Sequence, residues 1–140
     1  MFGRKKKPQG SPTPIDPSAD TPVIRTIAMP ADTNPAGDVF GGWLMAQMDL
    51  ASSSVATRRA AGRTATAAVE AMSFLAPVSV GDEVSLYAQL ISVGRTSMKI
   101  RVEAYRRHRD EAEVVKVTEA LFTAVAIDKD RKPRPVPSMA

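Results

Sequence analysis

Cysteine is absent from the 140 residues and histidine occurs once, as His108. The first absence excludes disulfides, thiolate metal sites and a cysteine nucleophile, and it suits a reducing compartment, so the cytoplasm is the expected location. The second leaves neither a Ser-His-Asp triad nor a histidine metal site with a full set of parts, and His108, inside the charged run RRHRD, is read as a surface residue. No Walker run and no GxGxxG run occurs, which argues against a nucleotide as phosphate donor or redox cofactor. No metal and no cofactor are therefore expected. Long apolar runs are missing too: the longest is broken by Gln47, Asp49 and the serines Ser52 to Ser54, too short and too polar for a bilayer. The N-terminus, MFGRKKKPQGSPTPIDPSAD, lacks the apolar stretch of an export signal.

Net charge is +4, and Arg4, Lys5, Lys6 and Lys7 set against Asp16 and Asp20 place half of that excess in the first twenty residues. Phe2 is the only aromatic there and no helical pattern is present, so a solvated tail is expected rather than an arm for nucleic acid or membrane. The organisation that follows is a disordered basic, proline-rich tail over 1–21, one folded domain over 22–128, and an irregular C-terminal tail over 129–140, KDRKPRPVPSMA.

What is present begins with Asp49, the only charged residue between Gly41 and Thr57 in GGWLMAQMDLASSSVAT. This stretch reads as a helix apolar around most of its circumference, which requires other elements to enclose it on several sides. A lone carboxylate inside such a helix costs several kcal/mol unless something offsets it, so Asp49 is either a satisfied hydrogen bonder or a group kept for chemistry. A strand from Val23 to Ala28 and the loop MPADTNPAGDVFGG precede the helix. Strands are expected after it from Thr64 to Phe74, through Val84, Leu86, Ala88 and Leu90, through Met98, Ile100, Val102 and Ala104, and from Val114 to Ile127. Gly94-Arg95 has the composition of a two-residue hairpin turn with glycine first. The expectation is an α+β fold in which one long helix is wrapped by one antiparallel sheet, with the last four strands in a meander.

The segments MPADTNPAGDVFGGWLMAQMDLASSSVA, VEAMSFLAPVSVGDEV and SVGRTSMKIRVEAY resemble the acyl-CoA thioesterases of the hotdog fold, and among them the YciA-like hydrolases. The resemblance covers about Pro22 to Ile127. It implies hydrolysis of a fatty acyl-CoA thioester, with Asp49 as the catalytic carboxylate and Asn34 assisting. It also implies a CoA contact at Val93, Gly94, Arg95, Thr96 and Ser97, and a homo-oligomer, a dimer at least and a trimer of dimers as in YciA-like members. The residues allow an independent check. Gly41 and Gly42 at the helix start offer free backbone amides in the positive field of the helix dipole, which suits a thioester oxyanion. Taken alone, the glycine pair is also a sharp entrance to a helix, and Asn34-Pro35 is also a turn. Asp49 lies seven residues beyond Gly42, roughly 10 Å along the same helix, so the carboxylate and the amides that cooperate should come from different protomers. Asp49 can act as general base on water or attack the carbonyl directly; the first is preferred, since a desolvated carboxylate is a better base near neutrality. Ser73 stands where relatives have asparagine in Met-Asn-Phe, which puts that local contact in doubt. A non-catalytic acyl-CoA binding module, or a thioesterase for acyl-carrier-protein conjugates, is the alternative.

Overall fold

Alternation along two strands sets the sheet. In β3 (Glu83–Val93) and β4 (Ser97–Arg107), Val84, Leu86, Met98, Ile100, Val102 and Ala104 point to one face and are fully buried. Each large side chain removed from water in this way stabilises the fold by about 1.5–3 kcal/mol. The computed structural model describes residues 13–139. Around this pair lie β1 (Ile24–Ile27), β2 (Thr64–Phe74) and β5 (Val114–Ala126), in the order β1-β3-β4-β5-β2, every neighbouring pair antiparallel. One long helix, α1 (Gly41–Ala60), crosses the apolar face and buries Leu44, Met48, Ala51, Ser52, Ala56 and Ala60 against it.

The strand order departs from a simple four-strand meander. β3, β4 and β5 do run as a meander, but β2 lies beyond β5 at the sheet edge and residues 75–82 return to the far side to begin β3. The return crosses three strand spacings, about 14 Å, which eight residues reach easily. Pro77 and Gly81 mark that segment as a loop, and Gly81 has φ +90, but alternation in a strand does not state which neighbour it pairs with.

The helix is also less enclosed than its composition implies. The sheet covers one side of α1, while Met45 and Leu50 remain 41% and 58% exposed on the protomer. Continuing that surface, Val69, Phe74 and Leu75 of β2 and its exit are exposed, and among the described residues β2 has no partner on its outer edge. A free edge beside exposed apolar side chains is a surface for another chain.

Both terminal segments are docked where they are described. Thr13 and Pro17 accept hydrogen bonds through their carbonyls from Gln89 Nε2 (2.6 Å) and the Tyr87 hydroxyl (3.4 Å), so 13–21 lies along β3 instead of hanging free. Arg4 to Lys7 fall outside the described residues. At the other end Arg134 donates from Nη2 to the Ala60 carbonyl (3.0 Å) and from Nε to that of Ile127 (3.0 Å), closing the negative end of α1 with a cation. Val136 packs on the core and Arg59 Nη1 donates to the Pro137 carbonyl (2.6 Å). Residues 129–139 thus form no helix or strand yet act as a strap.

The helix ends with Ala61, not Gly62, in the left-handed conformation (φ 53), its N–H donating to the carbonyls of Arg58 and Thr57. A non-glycine residue there costs on the order of 1 kcal/mol. Ala61→Gly should therefore raise unfolding stability by about 0.5–1 kcal/mol, measured by chemical denaturation, without changing the fold.

Candidate active site

The loop before α1 is built around Asn34. Its side-chain Oδ1 accepts from the backbone N–H of Ala36 (3.0 Å) and of Asp38 (3.1 Å), while its own N–H donates to the Asp38 carbonyl (2.7 Å). With Oδ1 committed to the turn, the amide is fixed in orientation, and Nδ2 is the part of Asn34 left to donate outward. The turn reading and the functional reading of Asn-Pro are thus compatible. The loop is anchored in turn to the β2–β3 connection: the Val39 N–H donates to the Val78 carbonyl (3.0 Å) and Asp38 bridges Ser79.

Phe40, extended at φ -60 and ψ 136, leads into α1 with no side-chain cap, and among the described residues the amides of Gly41 and Gly42 donate to nothing. The two glycines differ. A Cβ on Gly41 would lie 3.4 Å from the Phe74 ring, so this position is shaped by packing against the end of β2. A Cβ on Gly42 would meet nothing within 4 Å, so no neighbour in the protomer requires glycine there. Beside them opens an apolar groove of about 430 Å³, walled by Val39, Phe40, Leu44, Phe74, Leu75 and Val78. A helix start with two free amides at the mouth of an apolar groove can hold an oxygen that gains negative charge on a molecule with an apolar tail.

Asp49 is not in that groove. It is half-buried on the flank of α1 and accepts a 2.5 Å hydrogen bond at Oδ1 from Thr66 Oγ1, near the start of β2. The expectation of an enclosed carboxylate is corrected here: the flank beside β2 stays partly open because, among the described residues, no strand pairs with the outer edge of β2. Thr66 was not singled out from sequence, where a threonine among alanines in a strand carries no chemical signal. The short bond holds one oxygen and leaves Oδ2 unengaged among the described residues. Asp49 sits at the Thr66 end of β2 and Gly41 touches the Phe74 end, so one protomer holds the two halves apart.

The turn from Val93 to Ser97 belongs to the Thr66 end: Ser97 faces Val125, which faces Ala65. Its form differs from a glycine-first two-residue turn. The Gly94 N–H donates to the Ser97 carbonyl (2.7 Å), which puts Arg95-Thr96 at the tip, and Gly94 does not have positive φ. Glycine serves close approach instead, since a Cβ there would lie 3.1 Å from Ser97 Oγ. The carbonyls of Arg95 and Thr96 accept from Val136 (2.8 Å) and Ala126 (2.9 Å), so the tip is held and the Arg95 side chain is exposed.

Outside this set one further expectation is corrected, that for His108. His108 is not a free surface residue: its Nδ1 is 2.6 Å from Oδ1 of Asp82, which is almost fully buried. Ser73 exposes its side chain, and its carbonyl accepts from Thr118 Oγ1, so the backbone and not the side chain makes the contact to β5. Tyr105, on the sheet face away from α1, has its phenol held above the ordinary range by burial and by the Glu103 carboxylate it donates to (2.6 Å), and lies apart from the groove. Among the described residues no group of three or more His, Asp or Glu side chains is placed to hold a metal ion, and no helix is long and apolar enough to cross a membrane.

One helix held by a five-stranded antiparallel sheet, with an apolar groove at the helix start, is the architecture expected of the hotdog class. The family profile described as thioesterase superfamily matches residues 36–113. The acyl-CoA thioester hydrolase YciA of Salmonella typhimurium is 50% identical over 118 residues, covering 82% of this chain and 89% of that protein. Among solved structures, a hexameric thioesterase from Yersinia pestis aligns with a TM-score of 0.81 at 46% identity, covering 86% of this chain and 98% of that one. A hexameric hotdog fold thioesterase of Campylobacter jejuni aligns at 0.79 and 37%, covering 83% and 90%. The chain belongs to the thioesterase superfamily, in its group of acyl-CoA thioester hydrolases.

Gly42 separates a packing role from a chemical one. Gly42→Ala should fold with unchanged or slightly higher stability, because alanine is the better helix former and the methyl meets open space. If the Gly42 amide holds the thioester oxygen, activity should fall by about tenfold or more, since the methyl then stands in the path of the carbonyl; parallel melting curves and rates check this.

Proposed function

We propose that the protein hydrolyses fatty acyl-CoA thioesters to the free acid and CoA in a site shared by two copies of the chain. The observation that carries this reading is the separation of Asp49 and the Gly41–Gly42 amides to opposite ends of β2. Two β2 strands paired antiparallel about a two-fold near Glu70 bring residue 66 of one copy opposite residue 74 of the other. Asp49 of one copy then faces the helix start, the apolar groove and Asn34 of the second. The same pairing covers the free edge and the exposed Val69, Phe74 and Leu75.

In this site the acyl chain lies in the groove and the thioester oxygen points at the Gly41 and Gly42 amides, with Asn34 Nδ2 as a further donor to the oxygen or the water. Asp49, steadied by Thr66, takes a proton from water as the water oxygen attacks the carbonyl carbon. Collapse of the tetrahedral intermediate breaks the carbon–sulfur bond, and the proton on Asp49 passes to the CoA sulfur. Arg95 at the hairpin tip, with Val93, Gly94, Thr96 and Ser97 around it, gives a cation and polar groups for the CoA phosphates. No cofactor takes part. The Yersinia pestis and Campylobacter jejuni relatives are hexamers, and we take this chain to assemble likewise as a trimer of dimers. A cytoplasmic location is part of the same reading, supported by the cysteine-free composition.

The test is thiol release from acyl-CoAs of two to sixteen carbons, followed with a thiol-reactive dye to which the cysteine-free protein is inert. Wild-type turnover should fall by about a hundredfold or more in Asp49→Ala, the range expected when a general base is removed. Binding of esters with no turnover by the wild type would replace the enzyme by a binding module.

A further inference from the structure

The only histidine lies in a hydrogen-bonded chain that none of the steps above uses. Asp82, 2% exposed, receives Nδ1 of His108 at Oδ1 (2.6 Å) and the Ser79 N–H at Oδ2 (2.9 Å). Nε2 of His108 is 3.1 Å from Nη1 of Arg106, and Arg106 Nε donates to the Pro77 carbonyl (2.8 Å). A guanidinium only donates, so Nε2 is the acceptor and the ring proton sits on Nδ1 facing the Asp82 carboxylate. The histidine therefore satisfies a buried carboxylate on one side and orients an arginine on the other. Arg107 fixes the histidine's own backbone, donating from Nη1 to the carbonyls of His108 (3.2 Å), Arg109 (3.2 Å) and Glu111 (2.8 Å).

What this chain holds is the β2–β3 connection, which does two things in the site. Residues 75–78 wall the apolar groove. Val78 and Ser79 also pin Val39 and Asp38, and the Asp38 N–H holds the Asn34 side chain (3.1 Å). The path from His108 to the Asn34 amide runs from Asp82 to the Ser79 N–H, from the adjoining Val78 carbonyl to the Val39 N–H, and from the adjoining Asp38 N–H to Asn34 Oδ1, with Arg106 and Pro77 as a second tie to the same connection.

We infer that His108 is a positioning residue of the thioesterase site: through Arg106 and Asp82 it holds the 75–82 connection and so sets the groove wall and the orientation of Asn34. This rests on the functional reading above, and amide exchange at Val39 tests the structural half without it.

Two substitutions split the network. His108→Asn keeps a donor at the Nδ1 position, so buried Asp82 stays satisfied and the fold is retained, but it offers Arg106 no acceptor. His108→Gln reaches to the Nε2 position and keeps an acceptor for Arg106. In the Asn variant the Val39 amide should exchange about tenfold faster while amides of β4 and β5 keep wild-type protection, because only the connection loosens. Its kcat should fall about tenfold with KM for acetyl-CoA within about twofold, as expected when a group is misplaced and not removed. The Gln variant keeps the Arg106 tie but leaves Asp82 Oδ1 without its donor, so its Val39 exchange should also rise and its kcat also fall, each by about threefold or more. Wild-type Val39 exchange and kcat in both variants, or faster exchange spread equally through β4 and β5, would overturn the inference. If the wild type hydrolysed no thioester, the exchange result would still decide the role of His108, and the functional reading alone would fail.

Discussion

The rigidity of α1 is the constraint on which the rest depends. A helix advances about 1.5 Å per residue, so Gly42 and Asp49 are held roughly 10 Å apart and no rotamer closes that gap. Both are placed by the same packing, since Leu44, Met48, Ala51 and Ala56 between and beyond them are buried against the sheet. The helix cannot bend toward itself without opening that core. If the chemistry needs both the Asp49 carboxylate and the Gly41–Gly42 amides, it must therefore use two copies of the helix.

The sheet provides the means. β2 ends up at the edge because residues 75–82 carry the chain back across the sheet, and this leaves one long edge unpaired beside exposed apolar side chains. Thr66 near one end of β2 steadies Asp49, and Phe74 at the other end packs on Gly41. One strand thus spaces the two proposed half-sites and presents the edge that can join them. The same return segment walls the groove and is pinned by Asp82, His108 and Arg106, so topology, groove shape and the Asn34 turn are settled by one connection.

Much of this was legible in the sequence. Period-two alternation gave β3 and β4, the bounds of β2 matched from Thr64 to Phe74, and the run from Gly41 read as a helix. Asp49 stood out as the lone carboxylate of an apolar helix and Gly41-Gly42 as amides at its start, whereas Asn34 and the Val93–Ser97 turn were named from the family resemblance, since Asn-Pro and an exposed turn arginine read equally as ordinary turns. Strand order was not legible, since alternation reports which face is buried and is silent on neighbours. The degree of enclosure of Asp49 was overestimated because the apolar flank of α1 reflects a surface for a second chain as much as a core. His108 was misread for a different reason: RRHRD looks solvated in one dimension, and only the fold carries Asp82 from 26 positions away into contact with it.

The central claim is a site made from two chains, and mixing two crippled variants tests it most directly. Asp49→Ala removes the carboxylate; Asn34→Asp keeps an acceptor for the Ala36 and Asp38 amides but removes the outward donor. If each site takes Asp49 from one chain and Asn34 from the other, a mixed dimer has one intact site and one doubly defective site. Random reassociation of equal amounts should then recover about a quarter of wild-type thioesterase activity. Activity no greater than the sum of the two parents, in assemblies shown by mass to have mixed, would contradict the account.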